Sequence, residues 1–116
     1  MVDVTIYHNP RCSKSRATLN LLRERGIEPN IVEYLKTPPT AAELQGILKM
    51  LGVSPRDLMR QGEQEYREHH LDKPELSNEA LIAAMHKYPI LIQRPIVLAN
   101  DKAAIGRPPV NVLSIL

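Results

Sequence analysis

The chain opens on Val4-Thr5-Ile6-Tyr7, a short β-branched and aromatic run that stops at the loop His8-Asn9-Pro10-Arg11, and this predicts a first strand. Ala17, Leu21 and Leu22 then recur at helical spacing, and Arg23 and Arg25 precede Gly26, a residue suited to the position just past a helix. Cys12 falls at the start of that helix. Ile31-Val32-Glu33-Tyr34-Leu35, reached through Glu28-Pro29-Asn30, predicts a second strand, and β-α-β spacing favours a parallel pair with a right-handed crossover.

The middle of the chain is helical. Thr40-Ala-Ala-Glu43 has the form of a capping box, and Leu44, Ile47, Leu48 and Leu51 make one stripe ending at Gly52. Ser54-Pro55-Arg56-Asp57 starts a further turn, with Ser as N-cap and Pro at the first helical position. Ser77 caps a last middle helix in which Leu81 and Met85 face inward and which stops at Tyr88-Pro89, whereas 63–70 is polar without a clear period. Ile96-Val97-Leu98-Ala99, Asn100-Asp101 and 102–107 form a hairpin with a tight turn. Pro108-Pro109 opens a terminal helix with Val112, Leu113 and Leu116 on its apolar side. The order β-α-β, helices, β-β-α defines an α/β fold.

With 116 residues, 43% of them apolar, the default is one domain with a modest core. Charged residues make up 24% and the net charge is +2, a global field too weak to argue for nucleic acid or a membrane surface. There is no apolar run of the roughly 18 residues a membrane helix needs, and Met-Val-Asp-Val-Thr-Ile lacks a signal-peptide layout, so a soluble cytoplasmic protein is expected. A single Cys cannot form an internal disulfide. It fits a reducing compartment, excludes paired-cysteine redox motifs and multi-cysteine zinc sites, and requires any thiol partner of Cys12 to be external.

Cys12 is the first candidate for chemistry. At a helix start, unpaired N–H groups and the positive end of the helix dipole favour a thiolate. Arg11, Lys14 and Arg16 flank it, and 11–25 holds five basic residues against Glu24 alone. Such surroundings pull a thiol below its free value. A phosphatase-type Cys-x₅-Arg loop is excluded because position 18 is Thr, and the five glycines (26, 46, 52, 62, 106) never cluster into a nucleotide loop. His69-His70 and His86 lack ligand spacing, so no metal is expected. Met50, Met59 and Met85 fall on apolar stripes and, with Tyr7 and Tyr34, are expected in the core.

Four separated motifs, Ile6-Tyr7-His8-Asn9-Pro10-x-Cys12, Leu58-x-Arg60, Arg94-Pro95-Ile96-Val97 and Arg107-Pro108, together resemble the ArsC arsenate reductases over nearly the whole chain. The resemblance implies a thioredoxin-like fold in one domain, 1–116, with a helical insertion at about 40–89. It implies Cys12 as nucleophile, His8 as an electrostatic aid to the thiolate, and Arg60, Arg94 and Arg107 as oxyanion ligands converging beside Cys12. It also implies a cis Arg94-Pro95 bond facing the nucleophile, with Pro95 structural at the site. Arginine suits the chemistry, since guanidinium forks pair with the oxygens of a tetrahedral anion in a geometry lysine cannot match. A following proline holds Arg94 and Arg107 extended and fixes where each side chain emerges.

Ser13-Lys14-Ser15 stands where characterised reductases usually have a glycine and a threonine, and the chain, ending at Leu116, resembles a short ArsC-like bacterial branch. The implied activity is a glutathione- and glutaredoxin-dependent arsenate reductase, with no bound cofactor and glutathione as co-substrate. Two alternatives stand beside it. One is an RNA polymerase-binding regulator of the Spx type, although Ser15 replaces the second cysteine of that switch. The other is a glutathione-linked thiol oxidoreductase with another substrate.

Overall fold

The computed structural model describes residues 3–116; Met1 and Val2, part of the N-terminal run with no signal-peptide layout, lie outside the described residues. The chain forms two compact units: Met1–Thr37 with Arg94–Leu116, and Pro38–Gln93.

The first unit is built on a four-stranded sheet of order β2-β1-β3-β4, with β1 Val4–His8, β2 Asn30–Glu33, β3 Ile96–Ala99 and β4 Lys102–Ile105. β1 and β2 run parallel, joined through helix α1, Ser13–Glu24, as the β-α-β reading requires. β3 returns antiparallel to β1 and β4 antiparallel to β3. The β3–β4 turn places Asn100 and Asp101 at φ 54° and 60°, the left-handed pair that matches strand twist in a two-residue hairpin. Val4, Ile6, Leu19, Leu22, Val97, Val112 and Ile115 pack into the core of this unit.

Local chemistry departs from the sequence reading in three places. β2 ends at Glu33, not Leu35, because the amides of Lys36 and Thr37 both turn back to the Glu33 carbonyl at 2.9 Å. The buried face of α1 carries Ser15, Thr18, Leu19 and Leu22 while Ala17 is exposed, so its first turns bury polar side chains that an apolar stripe does not register. The terminal helix is a 3₁₀ segment, Pro109–Ile115; its three-residue period buries Val112 and Ile115 and leaves Leu116 exposed.

The second unit is helical: α2 Ala41–Leu51, α3 Pro55–Leu58, α4 Gln64–Glu68 and α5 Asn78–Lys87. The Thr40 hydroxyl accepts from the Glu43 amide at 3.1 Å while the Glu43 carboxylate accepts from the Thr40 amide at 2.9 Å, the reciprocal pair expected of a capping box. Ser54 and Ser77 cap α3 and α5 as their positions predict. The polar stretch 63–70 contains α4, held not by an apolar stripe but by Arg56, which donates to Tyr66 Oη at 2.8 Å and to the carbonyls of Leu71 and Lys73. Met59 and Met85 are buried, but Met50, at the edge of the α2 stripe, is 38% exposed. Two of the three histidines here have structural partners: His86 Nδ1 meets the Pro39 carbonyl at 2.8 Å, and His69 stacks on Tyr88. Among the described residues no helix is long and apolar enough to cross a membrane.

Candidate active site

Cys12 is the N-cap of α1, with φ −93° and ψ 124°, and its amide donates to the Asn9 carbonyl at 3.0 Å to close a tight loop after β1. The loop is braced from within. Asn9 Oδ1 accepts the Arg11 amide at 3.0 Å, and the Arg16 guanidinium donates to the Pro10 carbonyl at 2.9 Å. Ser15, fully buried, accepts the Asn9 amide on its hydroxyl at 3.0 Å and meets His8 Nδ1 at 2.6 Å.

Burial pushes the Cys12 thiol up, but the Ser15 amide, the Arg94 side chain and the Lys14 amide together outweigh it, and the net shift is downward. The sulfur makes no full cap hydrogen bond, so the amides act on it mainly as oriented dipoles at the helix N-terminus. The lowering expected from neighbouring charges therefore has a different source. Arg11 and Lys14 project into solvent, where their side-chain charge is screened, and the cation that acts on the sulfur is Arg94.

Arg94 precedes a cis Arg94–Pro95 bond, the isomer expected there; Arg107–Pro108 is cis as well. The Nε and Nη1 of Arg94 are buried without a hydrogen-bond partner. Arg107 is exposed and its Nη1 donates to the Arg94 carbonyl at 3.0 Å, which brings these two arginines together. Arg60 belongs to the second unit, where its amide donates to the Leu91 carbonyl at 2.6 Å and its Nη1 lies 3.1 Å from Glu63 Oε1. That ion pair has the distance but not the angle of a hydrogen bond, since the buried Nη1 is otherwise unsatisfied.

His8 is 6% exposed, and burial is the largest cause lowering its pKa, with Arg23 and Arg16 adding to it and Glu33 opposing. The ring is thus biased toward its neutral form, and it faces the Ser15 hydroxyl. Asn9 stands inside the first motif without a role assigned there, while Ser15 and Tyr34 lie beside Cys12 with none of the motifs naming them. Ser15 carries a faint signal, as a serine at the third helical position after an N-cap, on the face it shares with Thr18, Leu19 and Leu22; Tyr34 carries none beyond apparent core character.

This sheet, with its cysteine at the head of the first helix and a cis-proline before the third strand, defines a thioredoxin-like fold. Comparison with known proteins narrows the class. The sequence profile of the ArsC family matches residues 7–115. The uncharacterized protein YfgD of Escherichia coli (strain K12) is 60% identical over 98% of this chain and 97% of its own. An arsenate reductase of Neisseria meningitidis is 52% identical over 100% of both chains. The solved structure of an arsenate reductase from Vibrio cholerae superposes with TM-score 0.97 at 49% identity, covering 99% of this chain and 98% of that one. The chain belongs to the ArsC family, and it belongs there as an enzyme.

Proposed function

We propose that the protein is a cytoplasmic arsenate reductase working with glutathione and glutaredoxin, with Cys12 as nucleophile. The observation that carries this reading is the half-buried guanidinium of Arg94, whose Nε and Nη1 are shielded from solvent and unsatisfied, beside a thiol whose pKa is lowered. Unpaired buried donors next to a nucleophile suit an anionic substrate that completes them.

In the proposed reaction the Cys12 thiolate attacks arsenic, an As–S bond forms, and one As–O bond breaks with its oxygen leaving, protonated, as water. Arg94 and Arg107 share the charge of the remaining oxygens, and the resemblance adds Arg60 to the set. With a single Cys, the second thiol comes from glutathione. The two thiols supply two electrons, arsenic passes from the +5 to the +3 state and leaves as arsenite, and the resulting mixed disulfide is reduced by glutaredoxin. A cavity of about 230 Å³ lined by residues that include Arg11 and the Lys36–Glu33 ion pair, 3.8 Å apart and exposed, supports the glutathione step by presenting charges of both signs to the tripeptide's carboxylates and ammonium. The regulator reading is disfavoured: Ser15 is committed to His8 and Asn9, and no second thiol exists for a switch.

The test is arsenate-dependent NADPH consumption coupled through glutathione, glutaredoxin and glutathione reductase. Cys12→Ser abolishes turnover. Arg60→Ala, Arg94→Ala and Arg107→Ala each lower kcat/KM by roughly one to two decades, the worth of one charge-assisted contact, while exposed Arg25→Ala does not. A folded wild-type protein without turnover, captured instead by RNA polymerase, would move the assignment to the binding module.

A further inference from the structure

Tyr34 follows β2 directly, and two strand registers define its place. His8 pairs with Glu33 on one side of β1 and Tyr7 pairs with Ile96 on the other. Tyr34 leaves β2 and Arg94 leads toward β3 at the same end of the sheet, the end where β1 runs into Asn9, the residue whose carbonyl accepts the Cys12 amide. Tyr34 is 1% exposed, yet its hydroxyl has no hydrogen-bond partner, and neither do Nε and Nη1 of Arg94. Three buried polar atoms thus stand unsatisfied at the end of the sheet that carries the nucleophile.

The groups that act on the phenol are Arg94, Asn9 and Cys12. A guanidinium can only donate. Asn9 turns its carbonyl oxygen to the Arg11 amide, and its side chain lowers the Tyr34 pKa, the direction that a donor to the phenol oxygen produces. Both neighbours therefore address the lone pairs of the phenol oxygen, and the phenol proton lacks an acceptor. What remains is negative charge on, or bound next to, the sulfur. Burial raises the Tyr34 pKa, with Arg94 opposing, and keeps the proton in place. A packing role alone is met by the ring and leaves the hydroxyl without purpose.

We propose that Tyr34 is a further catalytic residue, its buried hydroxyl donating a hydrogen bond to an oxygen of the tetrahedral oxyanion held beside Arg94 and attacked by Cys12. The assignment rests on the oxyanion reading of the site. No proton is transferred; the donor strengthens its hold as charge accumulates on the oxygens during attack.

The experiment compares Tyr34→Phe with wild type in three measurements: the arsenate dissociation constant by calorimetry in a Cys12→Ser background, the pH midpoint of Cys12 alkylation, and kcat/KM. Expected are a weakening of arsenate binding and a fall in kcat/KM of about ten- to a hundredfold, with the alkylation midpoint unchanged. Unchanged binding with a raised midpoint would assign the hydroxyl to the thiolate and overturn the proposal; no change in either would leave Tyr34 a packing residue. Because binding is read without turnover, a wild-type protein that binds arsenate but does not reduce it defeats the reductase assignment and not this one. A wild-type protein that binds no arsenate defeats both. Should Tyr34→Phe fold poorly, the Cζ resonance of ¹³C-labelled Tyr34 in the wild-type chain serves instead: a shift on adding arsenate supports the hydrogen bond, and an unmoved resonance refutes it.

Discussion

Replacing Ser15 by Ala deletes one oxygen from a place with no solvent exposure and tests how the Cys12 loop is held. The hydroxyl accepts the Asn9 amide at 3.0 Å and shares a hydrogen bond with His8 Nδ1, 2.6 Å away, so both groups depend on this one oxygen whichever of the two carries the shared proton. Alanine leaves a buried N–H and a buried ring nitrogen unpaired, at about 1–3 kcal/mol each; water entering the small gap recovers part of this, leaving roughly 2–4 kcal/mol. For a domain near this size that corresponds to a fall in melting temperature of roughly 8 °C or more. Thiol acidity responds differently. The backbone amides and Arg94 that lower the Cys12 pKa remain in Ser15→Ala, so the alkylation midpoint stays close to wild type while stability drops. Calorimetry and a pH series of iodoacetamide alkylation measure the two quantities on one sample. A melting temperature within about 2 °C of wild type would refute the claim that this hydroxyl braces the loop.

Arg94→Ala does the converse, raising the Cys12 alkylation midpoint but not to that of an unstructured thiol, because the Ser15 and Lys14 amides persist; a midpoint equal to wild type removes Arg94 from the activation argument. Thr40→Ala removes the hydroxyl half of the α2 capping box and costs about 1 kcal/mol, read by denaturant unfolding. For His8, the folded pKa lies below the unfolded one, so between them the unfolded chain binds more protons and stability rises with pH. That stability is present above about pH 6.5 and is lost as pH falls through the folded value, a slope that His8→Gln reduces in melting curves taken across this range.

Much of the fold was legible because its signals are local. The Thr40, Ser54 and Ser77 caps, Gly52 at φ 70° and the Asn100-Asp101 turn each depend on groups within a few residues, and all stand where their residue types predict. Placement of Cys12 at a helix start is of the same kind. The misses come from packing. Met50 fits the α2 stripe by period but lies at its edge, and a period of 3.6 does not reveal that the C-terminal turn tightens to three residues and buries Ile115 instead of Leu116.

At the site the division is sharper. Sequence placed Cys12 at a helix N-terminus, a property of residue type, order and backbone preference, while its proposed role as nucleophile and the choice of Arg94 and Arg107 came with the resemblance to the ArsC family. Sequence could not say which cation reaches the sulfur. Arg11 and Lys14 are neighbours in the chain yet point to water, while Arg94, distant in sequence, is brought in when β3 pairs with β1. Nor could it say that Ser15 meets His8 Nδ1, or that the phenol of Tyr34 is buried without a hydrogen-bond partner. Those outcomes depend on desolvation and on which donors meet which acceptors, and both are decided only when strands distant in sequence have paired and water has left the space between them.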